Sequence, residues 1–397
     1  MESIEKFLIK NTNKRIASKP IIFDLNIKKD SSRLKRIIKE GGVDQVVDDY
    51  KEQLSELFSV NNPGLVYGGK FKEYLNEYCK KLKKERPIHR QGKWIYFPWL
   101  SKLVHLLEED DFHSVRTARN KNLIRKEEQD KFYNSTIGIG GLSIGNSIAL
   151  AIVLKGGAKH IKIADMDRLS LSNINRIRSG VNNLGLLKTE MTARQIYEIN
   201  PYSEVEIFSD GLNDKNLENF FVGKKKLDVF VDELDNMAIK YLIREYARRH
   251  RVPVLMSADN GDNAVIDVER YDKDPNIKFF HGRIGDASYE DLSRLDKFGI
   301  GKMITKHIGY ENIPERMQES LMEMGKTIVS WPQLGNTALI NGSIIAYLIR
   351  KIVNNQSVIE DRAIFSLDEK LIPGYYLKKE EAKRKKTAEY FKNIFNL

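Results

Sequence analysis

Arg176 and Lys188 stand in the stretch SLSNINRIRSGVNNLGLLKTE, with Ser172, Asn173 and Asn175 beside them. Such a set suits phosphoryl transfer, where charge building on a polyphosphate must be neutralised in place. Just upstream, the apolar run Thr136–Ile139 leads through Gly138, Gly140 and Gly141 into a helical pattern carrying Ile144, Ile148 and Ile152. A strand, a glycine turn and a helix in that order present backbone N–H groups and a helix N-terminus to phosphate. A second strand, His160 to Ile163, ends in Asp165, with Asp167 close behind. An acid at that tip is placed to hydrogen-bond a ribose. A third apolar run, Leu227 to Val231, ends in Asp232, Glu233, Asp235 and Asn236. Acids at the carboxyl end of a buried strand are costly unless they hold a metal or a partner charge.

The elements positioning these residues alternate between strand and helix. The helix carrying Lys188 is expected to begin near Gly185 and to stop at Asn200-Pro201; further strands are expected at Glu204–Phe208 and Pro253–Met256. Alternating units predict an α/β fold, a Rossmann-like, doubly wound, mainly parallel sheet. After Ala258 the rhythm changes. Ala264–Tyr271 reads as another strand, and residues 272–330 read as an irregular lid with helical pieces at Tyr289–Leu295 and Pro314–Met324. A long apolar helix, Leu334–Val353, follows, then a last strand (Ala363–Leu367) and a basic helix (Lys378–Lys392) read as a solvated tail.

The amino-terminal part is expected to be an α+β accessory region. PIIFDL and the aromatic run KWIYFPW read as strands, the latter as packed core rather than a peptide groove. Asp110–Asp130 is read as one charged helix or a helix pair that places Arg116 and Arg119 on one face. The expected division is an accessory or recognition region over 1–109, an α/β nucleotide domain over 110–355 with its crossover or lid at about 258–330, and a strand and basic helical tail over 356–397.

The chain has 397 residues and a net charge of +11. Without a zinc-finger, RRM or helix-turn-helix signature, that charge is read as solvated lysine faces, and a nucleic-acid partner is not expected. The single cysteine, Cys79, excludes an internal disulfide and a cysteine zinc site. The chain shows no apolar run of membrane-spanning length, and MESIEKFLIKNTNKR has no signal-peptide core, so a cytoplasmic protein without membrane contact is expected.

Taken together, these residues resemble the ThiF/MoeB/HesA superfamily, the adenylate-forming fold shared with ubiquitin-activating enzymes. Five elements match in order from about Arg116 to about Val353: Arg116-x-x-Arg119, the glycine loop, Asp165, Ser172-Asn173-Ile174-Asn175-Arg176 with Lys188, and Leu234-Asp235-Asn236. The KWIYFPW and WPQL segments look most like bacterial stand-alone ThiF-type proteins of the MoeY kind. Departures are Ser143 in place of the third loop glycine, where it could cap the helix, Ile177 after the arginine, and the lack of any cysteine beyond Asp130.

The resemblance implies ATP-dependent adenylation of a carboxylate, giving acyl-AMP and pyrophosphate. It implies catalytic roles for Arg119, Arg176, Lys188 and Asp235, with Asp235 holding Mg²⁺. It implies nucleotide contacts from Gly138, Gly140, Gly141, Asp165, Asp167, Asn173, Asn175, Arg176, Lys188 and Asn236. The implied partner is a small carrier or ubiquitin-like protein, or a peptide, with a free C-terminal carboxylate. Arg119 is expected to reach the nucleotide of a second subunit, which implies a homodimer. Two alternatives stay open: a ThiF-like scaffold without turnover, and an NAD-dependent oxidoreductase, which would leave Arg176, Lys188 and Asp235 without a task.

Overall fold

The computed structural model describes residues 16–396 together with Ile4, Lys6 and Leu8, so the expectation drawn from residues 1–15 lies largely outside the described residues. The chain forms two compact units: residues 1–127 with 193–202, and residues 128–192 with 203–397.

In the first unit, strands β1 (Ile21–Phe23), β2 (Gln45–Val47), β3 (Lys93–Phe97) and β4 (Lys102–Leu106) form a sheet in the order β1-β3-β4-β2. β3 runs antiparallel to β1 and β4, and β2 lies parallel to β4. The aromatic run is core: Trp94, Ile95, Tyr96 and Phe97 are all buried. The buried ring of His105 stacks between Tyr50 and Trp94, with centroids 4.0 and 4.2 Å away. Arg116 and Arg119 do not share a helix. Helix Glu109–Arg116 is closed by Thr117, whose N–H and hydroxyl both bond the His113 carbonyl, and Arg119 lies in a separate short turn, Ala118–Asn120.

The second unit is built on a seven-stranded sheet. Its strands are β5 (Thr136–Gly140), β6 (His160–Ala164), β7 (Glu204–Phe208), β8 (Val229–Asp232), β9 (Val254–Asn260), β10 (Asn263–Glu269) and β11 (Arg362–Phe365). They run in the order β11-β10-β9-β8-β5-β6-β7. β9, β8, β5, β6 and β7 are parallel, and β10 and β11 add an antiparallel edge. The chain proceeds from β5 to β6 and β7 on one side, then crosses to β8 on the other. That reversal opens a crevice at the carboxyl ends of β5 and β8, where ligands of such sheets bind.

Apolar residues of both sheet faces build the core. Phe220, Phe221, Phe230, Ile243 and Val254 pack in one cluster. Val265, Ile308, Met317 and Phe391 pack in another. Phe391 belongs to the carboxyl-terminal helix Lys378–Phe395, so that helix is docked through Ala388 and Phe391 and is not a solvated tail. Its basic residues hid a sparse apolar seam. The stretch read as irregular also holds a further helix, Lys297–Ile308, masked in sequence by Gly299 and Gly301. Asp296 caps it by accepting from the Gly299 N–H at 2.7 Å. Among the described residues, no helix is long and apolar enough to cross a membrane.

Candidate active site

β5 ends at Gly140, and Gly141 turns the chain into helix Ile144–Leu154. Gly141 has φ +86°, and a Cβ there would lie 2.2 Å from the Glu233 carbonyl oxygen. Only glycine therefore fits both the backbone conformation and the approach of the loop after β8. Gly138 lies inside β5 rather than in the loop, where its missing side chain leaves room for Phe220 and Leu227. Ser143 stands at the N-terminus of the helix but does not cap it. Its Oγ instead accepts a 2.9 Å hydrogen bond from Arg176 Nε.

Asp165 is built into the turn. Its Oδ2 accepts from the Leu142 N–H at 2.7 Å and its Oδ1 from the Asp167 N–H at 2.8 Å. Burial raises its pKa, against the opposing charge of Lys188 and these N–H bonds. Lys188, first residue of helix Lys188–Ile199, places Nζ 2.8 Å from Asp167 Oδ2 and 3.8 Å from Asp165 Oδ2. Asp165 is nearly inaccessible, while the side chain of Asp167 is 66% exposed. Both cations are thus anchored to one three-residue loop, Arg176 through Ser143 and Lys188 through the acid that holds Leu142.

The amides do local work. Asn173 Oδ1 accepts from the Ser170 N–H at 3.0 Å. Asn175 accepts from Arg176 Nη1 at 2.9 Å and donates to the Gln333 carbonyl at 2.9 Å. Asn236 caps helix Met237–His250 by accepting from the Ile239 N–H at 3.1 Å. Asp235 is exposed in the loop after β8. Burial lowers the pKa of Arg176, and the charges of Asp259 and Asp235 oppose that shift. Arg119 lies in the other unit and is exposed.

The remaining acids divide by partner. Asp232 is fully buried and holds partner charges, 3.0 Å from Lys240 and paired with Arg244, which also reaches Glu269 at 2.8 Å. Glu233 accepts from the Ser257 N–H and hydroxyl at 2.9 and 2.8 Å, and burial pushes its pKa up to about 8. Asp259, at the carboxyl end of β9, escaped the sequence reading because DNGDN reads as a turn. The rule that drew attention to Asp235, an acid at a strand's carboxyl end, applied to the next strand would have found it. A cavity of about 1110 Å³ is lined by Ser172, Asn175, Arg176, Trp331, Gln333 and Arg384 among others.

The profile of the ThiF family matches residues 117–359. An uncharacterized protein of Mycobacterium tuberculosis is 32% identical over 294 residues, 74% of this chain and 40% of the relative. The tRNA threonylcarbamoyladenosine dehydratase 2 of Saccharomyces cerevisiae is 30% identical over 150 residues, 38% of this chain and 34% of the relative. A probable molybdopterin-synthase adenylyltransferase of Porphyra purpurea is 29% identical over 165 residues, 41% of this chain and 42% of the relative. The chain therefore spans less than half the length of each of these relatives.

Proposed function

The chain belongs to the ThiF family, and we propose that it is an ATP-dependent adenylyltransferase that activates a carboxylate. The observation carrying this reading is the anchoring of Arg176 and Lys188 to the loop that opens helix Ile144–Leu154. Two cations and a helix N-terminus converge where a polyphosphate would need them. The residues fit a nucleotide in a second respect: Asp165, the acid expected at the ribose, is buried and holds two backbone N–H groups, and the exposed Asp167 carboxylate beside it offers an oxygen to a ribose hydroxyl.

In the proposed reaction a carboxylate oxygen attacks the α-phosphorus of ATP. An O–P bond forms, the bond to the β-phosphate bridge breaks, and pyrophosphate leaves with the electron pair. The nucleophile is already ionised, so no general base is needed for this step. Attacking group, α-phosphate and leaving group are all anionic, and the barrier is largely electrostatic. Arg176 and Lys188 supply the fixed positive charge that lowers it. Asp235 would hold Mg²⁺, which supplies further charge neutralisation when bound. Exposed Arg119 is assigned to the site of a second copy, making the active species a homodimer.

Because the chain holds no cysteine from Asp130 to Leu397, the acyl group passes to an external acceptor. The carboxylate we assign is the C-terminus of a small carrier or ubiquitin-like protein, or of a peptide. The names of two relatives, a molybdopterin-synthase adenylyltransferase and a tRNA dehydratase, support an activating chemistry without fixing the substrate. The single cysteine accords with a cytoplasmic site of action. The test is nucleotide selectivity in the presence of Mg²⁺. ATP binding in the micromolar range, roughly −8 kcal/mol, with no comparable binding of NAD, supports the reading; preference for NAD overturns it.

A further inference from the structure

Among the site's acids, Asp259 is set apart by its partners. Asp165 holds two backbone N–H groups, Asp167 pairs with Lys188, Glu233 holds Ser257, and Asp232 pairs with Lys240 and Arg244. Asp259 is only 2% exposed. Its Oδ1 accepts from Asn341 Nδ2 at 2.7 Å, and its Oδ2 makes no hydrogen bond of good geometry, with the Gln333 side chain beside it.

Arg176 is the charge that bears on Asp259, at longer range than an ion pair, since none joins the two among the described residues. The Arg176 guanidinium spends Nε on Ser143 and Nη1 on Ser172 and Asn175, which leaves Nη2 without a hydrogen-bond partner among the described residues. The two sides are held together by the backbone. A Cβ at Gly335 would lie 2.5 Å from the Asn175 carbonyl oxygen, so helix Gly335–Val353, which carries Asn341, starts directly on the loop that carries Arg176.

We propose that Asp259, seated by Asn341, is the counter-ion that Arg176 exchanges for nucleotide phosphate, so that binding a nucleoside triphosphate moves a proton onto Asp259. This rests on the proposed function, because it takes Arg176 to be a phosphate ligand. Before binding, the Asp259 carboxylate is stabilised first by its bond from Asn341, then by the Arg176 charge and by Gln333. Phosphate oxygens claim the guanidinium, and the buried carboxylate then faces new negative charge. Taking a proton from solvent is the least costly response of such a group. Burial already holds the Asp259 pKa up at about 7, against Asn341 and Arg176, so the group can respond near neutral pH.

The other groups around it are accounted for. The loop after β8 contributes Asp235, exposed, and Glu233, bonded to Ser257 two residues before Asp259; the Glu233 pKa is itself pushed up to about 8, and its titration is common to parent and Asp259→Asn. The long helix and the segment before it contribute Asn341 and Gln333, which do not titrate. Asp259 is therefore a positioning residue, setting how readily Arg176 is released to the nucleotide.

Proton and nucleotide binding are then reciprocally linked. ATP should bind more tightly to the protonated form, so affinity falls as pH rises from about 6 to about 8. Asp259→Asn mimics the protonated state. The variant should bind ATP about tenfold more tightly than the parent at the alkaline end and show a flatter pH profile.

The experiment is calorimetric titration of the full chain with ATP and Mg²⁺, in pairs of buffers that differ in ionisation enthalpy. The parent should take up part of a proton per ATP bound, and Asp259→Asn correspondingly less; the nucleotide's own titration is common to both. Asn341→Ala removes a bond that favours the carboxylate, so its pH midpoint should move upward, a shift that loss of packing alone would not give. Equal proton uptake by parent and Asp259→Asn, or weaker ATP binding by that variant at the alkaline end, overturns the proposal while leaving the nucleotide site intact. Absence of ATP binding by the parent at every pH overturns the proposed function and this inference with it.

Discussion

Lys188 Nζ lies 2.8 Å from Asp167 Oδ2, so the cation at the start of helix Lys188–Ile199 is pinned by an acid at the tip of β6. The pair joins two segments that the sequence separates by a loop carrying amides and three arginines, Arg168, Arg176 and Arg178. It fixes where a buried positive charge stands relative to the glycine turn, because Asp165, which holds the Leu142 N–H, also lies 3.8 Å from Nζ.

Lys188→Ala should therefore abolish adenylation while the fold survives. Asp167 is largely solvated, so losing its partner costs little, as for other exposed pairs, and Asp165 keeps its two backbone N–H bonds. Loss of one transition-state cation should lower the rate on the order of 100-fold or more. Steady-state rates together with circular dichroism check this; a Lys188→Ala protein that retains full rate would remove the residue from the mechanism.

Gly141→Ala should act through the fold. The added Cβ meets the Glu233 carbonyl at 2.2 Å and forces φ +86° on a residue that avoids it. Both effects separate β5 from the loop after β8, and a loss of stability of several kcal/mol is expected. Chemical denaturation measures it, and an unchanged midpoint would contradict the packing described here.

Asp259 makes a stability prediction independent of nucleotide. Its folded pKa of about 7 lies above the ordinary 3.8, so the folded state keeps a proton that the unfolded chain releases between these values. The folded state is therefore penalised progressively as pH rises through that window, and the penalty is complete above it. Asp259→Asn should melt several degrees higher than the parent at about pH 8 and show little difference at about pH 4. Melting curves at both pH values decide it.

Phe391 is fully buried against Val265, Ile308 and Met317. Phe391→Ala should cost about 3–5 kcal/mol and expose helix Lys378–Phe395 to proteolysis. Equal protease resistance of variant and parent would show that the helix is held by other means.

The parallel sheet and the glycine turn were legible because the central strands are rich in apolar residues and the turn after β5 has its glycines. Arg176, Lys188 and Asp165 were picked out as two cations and a strand-tip acid around a glycine turn, and the structure brings them to one loop. Gly138 was assigned to the turn although it lies in β5, since sequence alone does not separate a glycine that bends the chain from one that makes room for Phe220. Arg116 and Arg119 were placed on one helix because three-residue spacing is helical, but Thr117 ends that helix between them. Asp259 and its partner Asn341 are far apart in the chain, and a long-range pair of that kind leaves no local pattern to read.

The measurement closest to the central claim is ATP–pyrophosphate exchange with Mg²⁺, run with candidate carrier proteins and peptides bearing a free C-terminal carboxylate. The account predicts exchange that depends on one such carboxylate and disappears in both Arg176→Ala and Lys188→Ala. Exchange that persists undiminished in both variants would contradict it.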